Sequence, residues 1–155
     1  MPLTDILSVD GVIPLLRAPT KKLLLEAIAE KAGQVTGLPD RTVFDLLLQR
    51  ERLGSTGIGS GIAIPHSKFE GLDKLVGLFI RLEKPIDFDA LDGAPVDLVF
   101  VLLAPEGAGA DHLKGLAKVA RVLRDPLVTA KVRASKDASV IHALLTQQLE
   151  TSKAA

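Results

Sequence analysis

Cysteine, tryptophan and tyrosine are absent from the 155 residues, and Met1 is the sole methionine. Without cysteine the chain has neither a disulfide framework nor a thiolate metal site, and at this length it needs no such staple. A fold of this size buries about 70% of the surface of its unfolded chain. Five phenylalanines are the entire aromatic content, which weakens the case for a base-stacking platform. Neither sign of charge dominates, with 19 Lys and Arg against 19 Asp and Glu. That balance argues against a surface built for phosphodiester backbones or anionic lipid. The start, MPLTDILSVDGVIPLLRAPT, has acids at Asp5 and Asp10 and lacks the basic, apolar and small-residue succession of an export signal. The longest apolar run, Leu98 to Pro105, is about eight residues, whereas a spanning helix needs about twenty. The expectation is a protein with no membrane insertion, placed in the cytoplasm by the missing signal.

No internal repeat, low-complexity tract or dividing linker is visible, so residues 1–155 are expected to form a single domain with a short polar tail at 151–155. Helical and strand patterns alternate. Thr20 is placed to cap a helix through Leu23, Leu24, Ile28 and Ala32 that ends at Gly33 or Gly37, and Asp40 to cap a second that stops near Gly54. Short apolar runs at Val12–Leu16, Gly61–Ile64, Leu75–Leu82 and Val96–Leu103 read as strands. A third helix follows Gly107 and Gly109, a short fourth starts at Pro126, and a fifth is capped by Ser135 or Asp137. This alternation predicts an α/β fold with a central sheet of about four to five strands and helices on both faces. About a dozen residues without a helical pattern join the Leu75–Leu82 and Val96–Leu103 strands, so that pair is expected antiparallel and the sheet mixed.

The stretch Gly54 to His66, GSTGIGSGIAIPH, holds the densest chemical information. Neither familiar phosphate loop fits: Gly59 is followed by Ser60 rather than by Lys, and Gly57, Gly59 and Gly61 lead into a strand rather than a helix. Two readings remain, a glycine-rich turn that merely delivers a strand, or a backbone whose N–H groups face an anion. Pro65 cannot donate to a sheet ladder, which puts His66 on a loop at a strand end, where α/β folds commonly place reactive groups. His112 falls in the first turn of the third helix, as a solvated residue or as a hydrogen-bond donor to an anion; a capping Asp111 would oppose the latter. Arg50, on an edge of the second helix's apolar face, either reaches outward or turns toward the glycine-rich loop, where its planar fork suits a phosphoryl group. Glu51 and Arg52 read as solvent-side charges, and His142 as a partly buried helix residue without a task. No nucleophile elbow and no metal-binding spacing is present.

The segment GSTGIGSGIAIPHSK, residues 54–68, resembles the signature of the enzyme IIA proteins of the bacterial phosphotransferase system, mannitol/fructose class, nitrogen-regulatory branch. Arg50-Glu51 sixteen residues before His66, Pro85-Ile86-Asp87-Phe88, Pro95-Val96-Asp97-Leu98, and His112-Leu113 forty-six residues after His66 extend the resemblance over most of the chain. Ser67 departs from the more usual Gly, and Ser60 from Asn or an acid. The resemblance implies that His66 accepts a phosphoryl group on Nε2 from an HPr-like phosphocarrier, with His112 assisting and Arg50 stabilising charge. Thr56, Gly57, Gly59, Ser60 and Gly61 are the loop residues then expected to bind the phosphoryl oxygens. It further implies a phosphotransferase component rather than a free-standing enzyme, with no cofactor, no metal and no nucleic-acid partner. Its phosphorylation state would regulate targets such as potassium transporter components or sensor kinases. A sugar-specific IIA that passes the group to a IIB domain during uptake would use the same site.

Overall fold

The computed structural model describes residues 2–154, with side chains through Gln147. A short 3-10 turn at Leu3–Asp5 leads into β1 (Leu7–Leu16), followed by α1 (Lys21–Thr36) and α2 (Asp40–Leu53). Three short strands come next, β2 (Gly57–Gly59), β3 (Ile62–Ala63) and β4 (His66–Phe69), then the long β5 (Val76–Ile86) and β6 (Val96–Pro105). The chain ends in α3 (Gly109–Leu123), α4 (Pro126–Arg133) and α5 (Ala138–Ala154).

The caps explain most helix boundaries. Thr20 accepts a hydrogen bond from the Leu23 amide at 3.2 Å, and Gly37, at φ 79°, ends α1 in the left-handed conformation that a glycine adopts without strain. Asp125 caps α4 through the Leu127 amide with Pro126 in its first turn, and Asp137 accepts from Val140 at the start of α5. Asp40 departs from expectation: it is the first residue of α2, and Pro39 precedes it as a cap without a side-chain bond.

Six strands form one mixed sheet in the order β1-β5-β6-β3-β2, with β4 pairing β6 beyond β3. The β5–β6 pair is antiparallel, as the missing crossover helix predicts, while β1 runs parallel to β5 and both β3 and β4 run parallel to β6. Residues along β6 alternate between two faces. Leu98, Phe100 and Leu102 join a core with α3, α4 and α5, whereas Val99, Val101 and Leu103 join one with α1 and α2. Burial on both faces makes β6 a nearly unbroken apolar run. β1 begins five residues before its predicted start because Ser8, Val9 and Asp10 lie exposed on an edge strand, where polar residues are tolerated.

The glycine-rich segment is a hairpin. Ser60 (φ 58°) and Gly61 (φ 81°) form the two-residue tip between β2 and β3, and positive φ at both is what the twist of a tight hairpin asks for. Ile64 and Pro65 interrupt the pairing with β6, and it resumes at once: Leu102 donates to the Pro65 carbonyl, and His66 opens β4 opposite Leu102. His66 therefore sits at the start of a strand, a correction to the expected loop.

Candidate active site

His66 is half-buried, and its imidazole lies edge-on to that of His112, with centroids 5.4 Å apart and planes inclined at 68°. Two contacts of the fold set this meeting. In the parallel β4–β6 ladder, His66 shares its face with Leu102, on the side covered by α3. Gly115, one turn after His112, lets α3 settle onto that same Leu102; a Cβ there would come within 3.2 Å of Leu102 and of Leu75. The helix start is carried close to the strand start, although forty-six residues separate the histidines.

The nitrogen atoms of the pair are in different situations. His66 Nδ1 lies 2.8 Å from the carbonyl oxygen of Ile64. A carbonyl only accepts, so Nδ1 carries the proton and, in the neutral ring, Nε2 holds the lone pair. His112 is buried, contrary to the solvated reading, and its Nε2 has no hydrogen-bond partner among the described residues. Burial holds the pKa of His66 below 6.5; the Ile64 carbonyl opposes this, Arg50 adds to it, and Glu51 opposes it. His112 is lowered by burial first, then by His66 and Lys68. Both rings are thus neutral at pH 7, and a neutral imidazole with an open Nε2 is a nucleophile toward phosphorus.

Arg50 donates from Nη1 to the Gly54 carbonyl at 3.0 Å, and its charge is one of those that hold the His66 pKa down. Lys68, two residues along β4 on the His66 face, is a second cation beside the pair. The sequence pattern did not single it out because β4 was not recognised; once His66 is known to open a strand, the period of two points to it. Asp111 is exposed and caps nothing, since α3 has no side-chain cap, so the competing carboxylate does not materialise.

Two expectations need correction. The hairpin does not supply a ring of free donors. The amides of Thr56, Gly57 and Ser60 are bonded to Glu51, Ser55 and Asp92 at 3.1, 3.0 and 3.0 Å. Ser60 and Gly61, at the tip, lie beside Asp97, five β6 residues from the partner of His66, or about 16 Å along the strand. Gly59 pairs with Ile62 near that same end. Thr56 is adjacent to the site, its carbonyl accepting from Ile64, but its donors are engaged.

Glu51 is the second correction. It is buried rather than solvent-facing, accepts from the Thr56 amide at 3.1 Å and hydroxyl at 2.5 Å, and pairs with Lys21 at 2.9 Å. His142 donates from Nε2 to the Leu7 carbonyl at 2.7 Å, which ties α5 to β1 and leaves it structural. No group of three or more metal-ligating side chains occurs among the described residues, and no helix there is long and apolar enough to cross a membrane.

The mixed α/β sheet thus sets a histidine with an open Nε2 beside a second, buried histidine. The model of the family described as phosphoenolpyruvate-dependent sugar phosphotransferase system, EIIA 2, matches residues 5–148, and the chain belongs to that family. Within it, the chain is 54% identical to a nitrogen regulatory protein of Bradyrhizobium diazoefficiens, over 94% of this chain and 95% of the relative. The crystal structure of nitrogen regulatory protein IIA-Ntr from Neisseria meningitidis superposes with a TM-score of 0.88 at 36% identity, covering 93% of this chain and 99% of that one. A fructose-specific EIIA component of Haloferax volcanii stands further off, at 34% identity over 94% of this chain and 99% of its own.

Proposed function

We propose that this chain is a phosphoryl-accepting regulatory protein of the nitrogen phosphotransferase branch, acting as one EIIA type-2 domain over residues 1–155. The observation that carries this reading is the Nδ1 bond of His66 to Ile64, which leaves Nε2 as the nucleophilic nitrogen beside His112. An HPr-like carrier presents its phosphohistidine; the N–P bond to the carrier's ring breaks as the N–P bond to His66 Nε2 forms. Nδ1 keeps its proton, donated in a hydrogen bond to the Ile64 carbonyl, throughout. One N–P bond replaces a similar one, so alignment and charge stabilisation carry the reaction.

Arg50 and Lys68 supply positive charge toward the transferring oxygens, and the Nε2 of His112, which has no partner among the described residues, supplies a hydrogen bond to them. Leu113, exposed next to His112, offers apolar surface to the carrier. The added charge of about −2 on His66 then changes what downstream targets meet. Potassium transporter components and sensor kinases are the proposed class of target, and the cytoplasm the proposed place. The sugar-uptake alternative is disfavoured by the 54% against 34% identities of the two kinds of relative.

Incubation with a phosphorylated HPr-like carrier tests the reading. Acid-labile, base-stable phosphate is expected on the wild-type chain and none on His66→Ala; label retained by His66→Ala overturns the assignment.

A further inference from the structure

Arg50 and Glu51 are neighbours in the last turn of α2 and have opposite charges, yet they lead different lives. Arg50 rests its guanidinium on the carbonyl of Gly54. Glu51 points beneath the turn that contains Gly54. Its side chain holds both the amide and the hydroxyl of Thr56, and its own main-chain carbonyl accepts from the Gly54 amide at 3.1 Å. The turn from Gly54 to Thr56 is therefore pinned at both ends by one residue.

The pin is itself anchored from two other segments. Lys21, from the first turn of α1, pairs with Glu51 at 2.9 Å, reaches the Phe88 carbonyl at 3.4 Å and lies 4.3 Å from the Phe88 ring centre. Ser55 donates to that same Phe88 carbonyl at 2.7 Å. A carboxylate as buried as this one costs free energy unless it is paired and hydrogen-bonded, so its position is sharply defined by these contacts. A guanidinium resting on the pinned turn inherits that definition.

We infer that Glu51 is a positioning residue for phosphoryl acceptance at His66, fixing through Thr56 the Gly54 carbonyl against which Arg50 is held. The inference rests on the reading of His66 as the acceptor. It assigns Glu51 no contact with the phosphoryl group: its carboxylate repels a dianion, and its usefulness lies in where it holds Arg50. Small displacements of a positioned charge are costly in rate, which is why a residue outside the site registers in the chemistry.

The test uses the full chain and phosphoramidate as well as the phosphorylated carrier; with the former, the P–N bond breaks, the Nε2–P bond forms and ammonia leaves. Wild type and His66→Ala come first, and failure of wild type to take label on His66 ends both the acceptor reading and this one. With wild type labelled, Glu51→Ala is expected to react about tenfold more slowly. Glu51→Gln keeps an oxygen for the Thr56 amide and an NH2 for its hydroxyl, and is expected within about threefold of wild type. In an Arg50→Ala background, Glu51→Ala is expected to cost less than about twofold, because the group it positions is gone. Loss of stability alone would not produce that dependence. Wild-type rates in Glu51→Ala, or a tenfold loss that persists without Arg50, overturn the inference while leaving the acceptor reading intact. Should Glu51→Ala not fold, Thr56→Val, which removes only the hydroxyl, carries the same cycle with an expected loss of about threefold.

Discussion

The ring of His112 meets that of His66 edge to face at 5.4 Å, and its buried Nε2 bonds to nothing among the described residues. Leaving a buried polar group unsatisfied costs about 1–3 kcal/mol, which offsets part of what the packed ring contributes to stability.

Removing it should therefore affect transfer more than folding. His112→Ala deletes an unsatisfied group along with the ring, so the two effects on stability partly offset, and a loss of no more than about 2 kcal/mol is expected by urea denaturation. Phosphoryl acceptance from the carrier should fall by about tenfold or more. Unchanged transfer kinetics would make His112 a packing residue.

The hairpin tip makes the opposite prediction. Ser60 occupies a left-handed conformation at φ 58°, which Asn tolerates better than Ser. Ser60→Asn is expected to raise stability by about 0.5 kcal/mol, with the labelling rate of His66 unchanged because the tip lies at the far end of β6. A threefold or larger change in rate would put the tip back into the site.

What the sequence could reveal followed from pattern length. The long, strongly apolar β5 and β6 and the capped helices α1, α4 and α5 were legible, and their alternation was enough for the fold class. β4 was not, because four residues reading His-Ser-Lys-Phe have no apolar period. The tip did carry a signal, since Ser-Gly between short apolar runs is a hairpin pattern; competing phosphate-loop readings of the same glycines obscured it. His66, His112 and Arg50 were identified through a resemblance, and only the packing of Gly115 on Leu102 shows what joins the two histidines physically. Glu51 was hidden because a charge at a helix end normally faces water, and Lys21, thirty residues earlier, gives no local sign that it will meet it.

The histidines also predict a dependence on pH. Both have folded pKa values below 6.5, chiefly through burial, so the unfolded chain binds more protons as the pH drops past 6.5. The associated stability is fully present above that value and is lost as the pH falls through the folded values. Its slope is at most about 1.4 kcal/mol per pH unit for each ring. Urea midpoints are expected to fall between pH 7.5 and 5.5, and less steeply in His112→Gln. The carboxylate of Asp92 does not intrude, since the amides of Ser60 and Ala94 hold its pKa below 3.8. NMR titration of His66 should further move down in Glu51→Gln, because the lost carboxylate is one of the groups that raise it. An upward movement would show that Glu51 does not act on the ring as a charge.

Lys21 provides the last prediction, on the stability side of the same network. Its side chain is 19% accessible, whereas the Glu51 side chain is 2% accessible. Lys21→Met keeps much of the stem that packs on Phe88 but strips the buried carboxylate of its cation. Breaking a fully buried pair costs about 3–5 kcal/mol, and the exposure of Lys21 lets water replace part of it, so a loss of about 2 kcal/mol is expected. Lys21→Met combined with Glu51→Gln removes the stranded charge as well, and should recover at least half of that loss, because a neutral amide is far less costly to bury than an unpaired carboxylate. Urea denaturation of the two single variants and the double variant measures the coupling directly. Additive losses would mean that Lys21 stabilises the fold through Phe88 and that Glu51 is held by Thr56 alone.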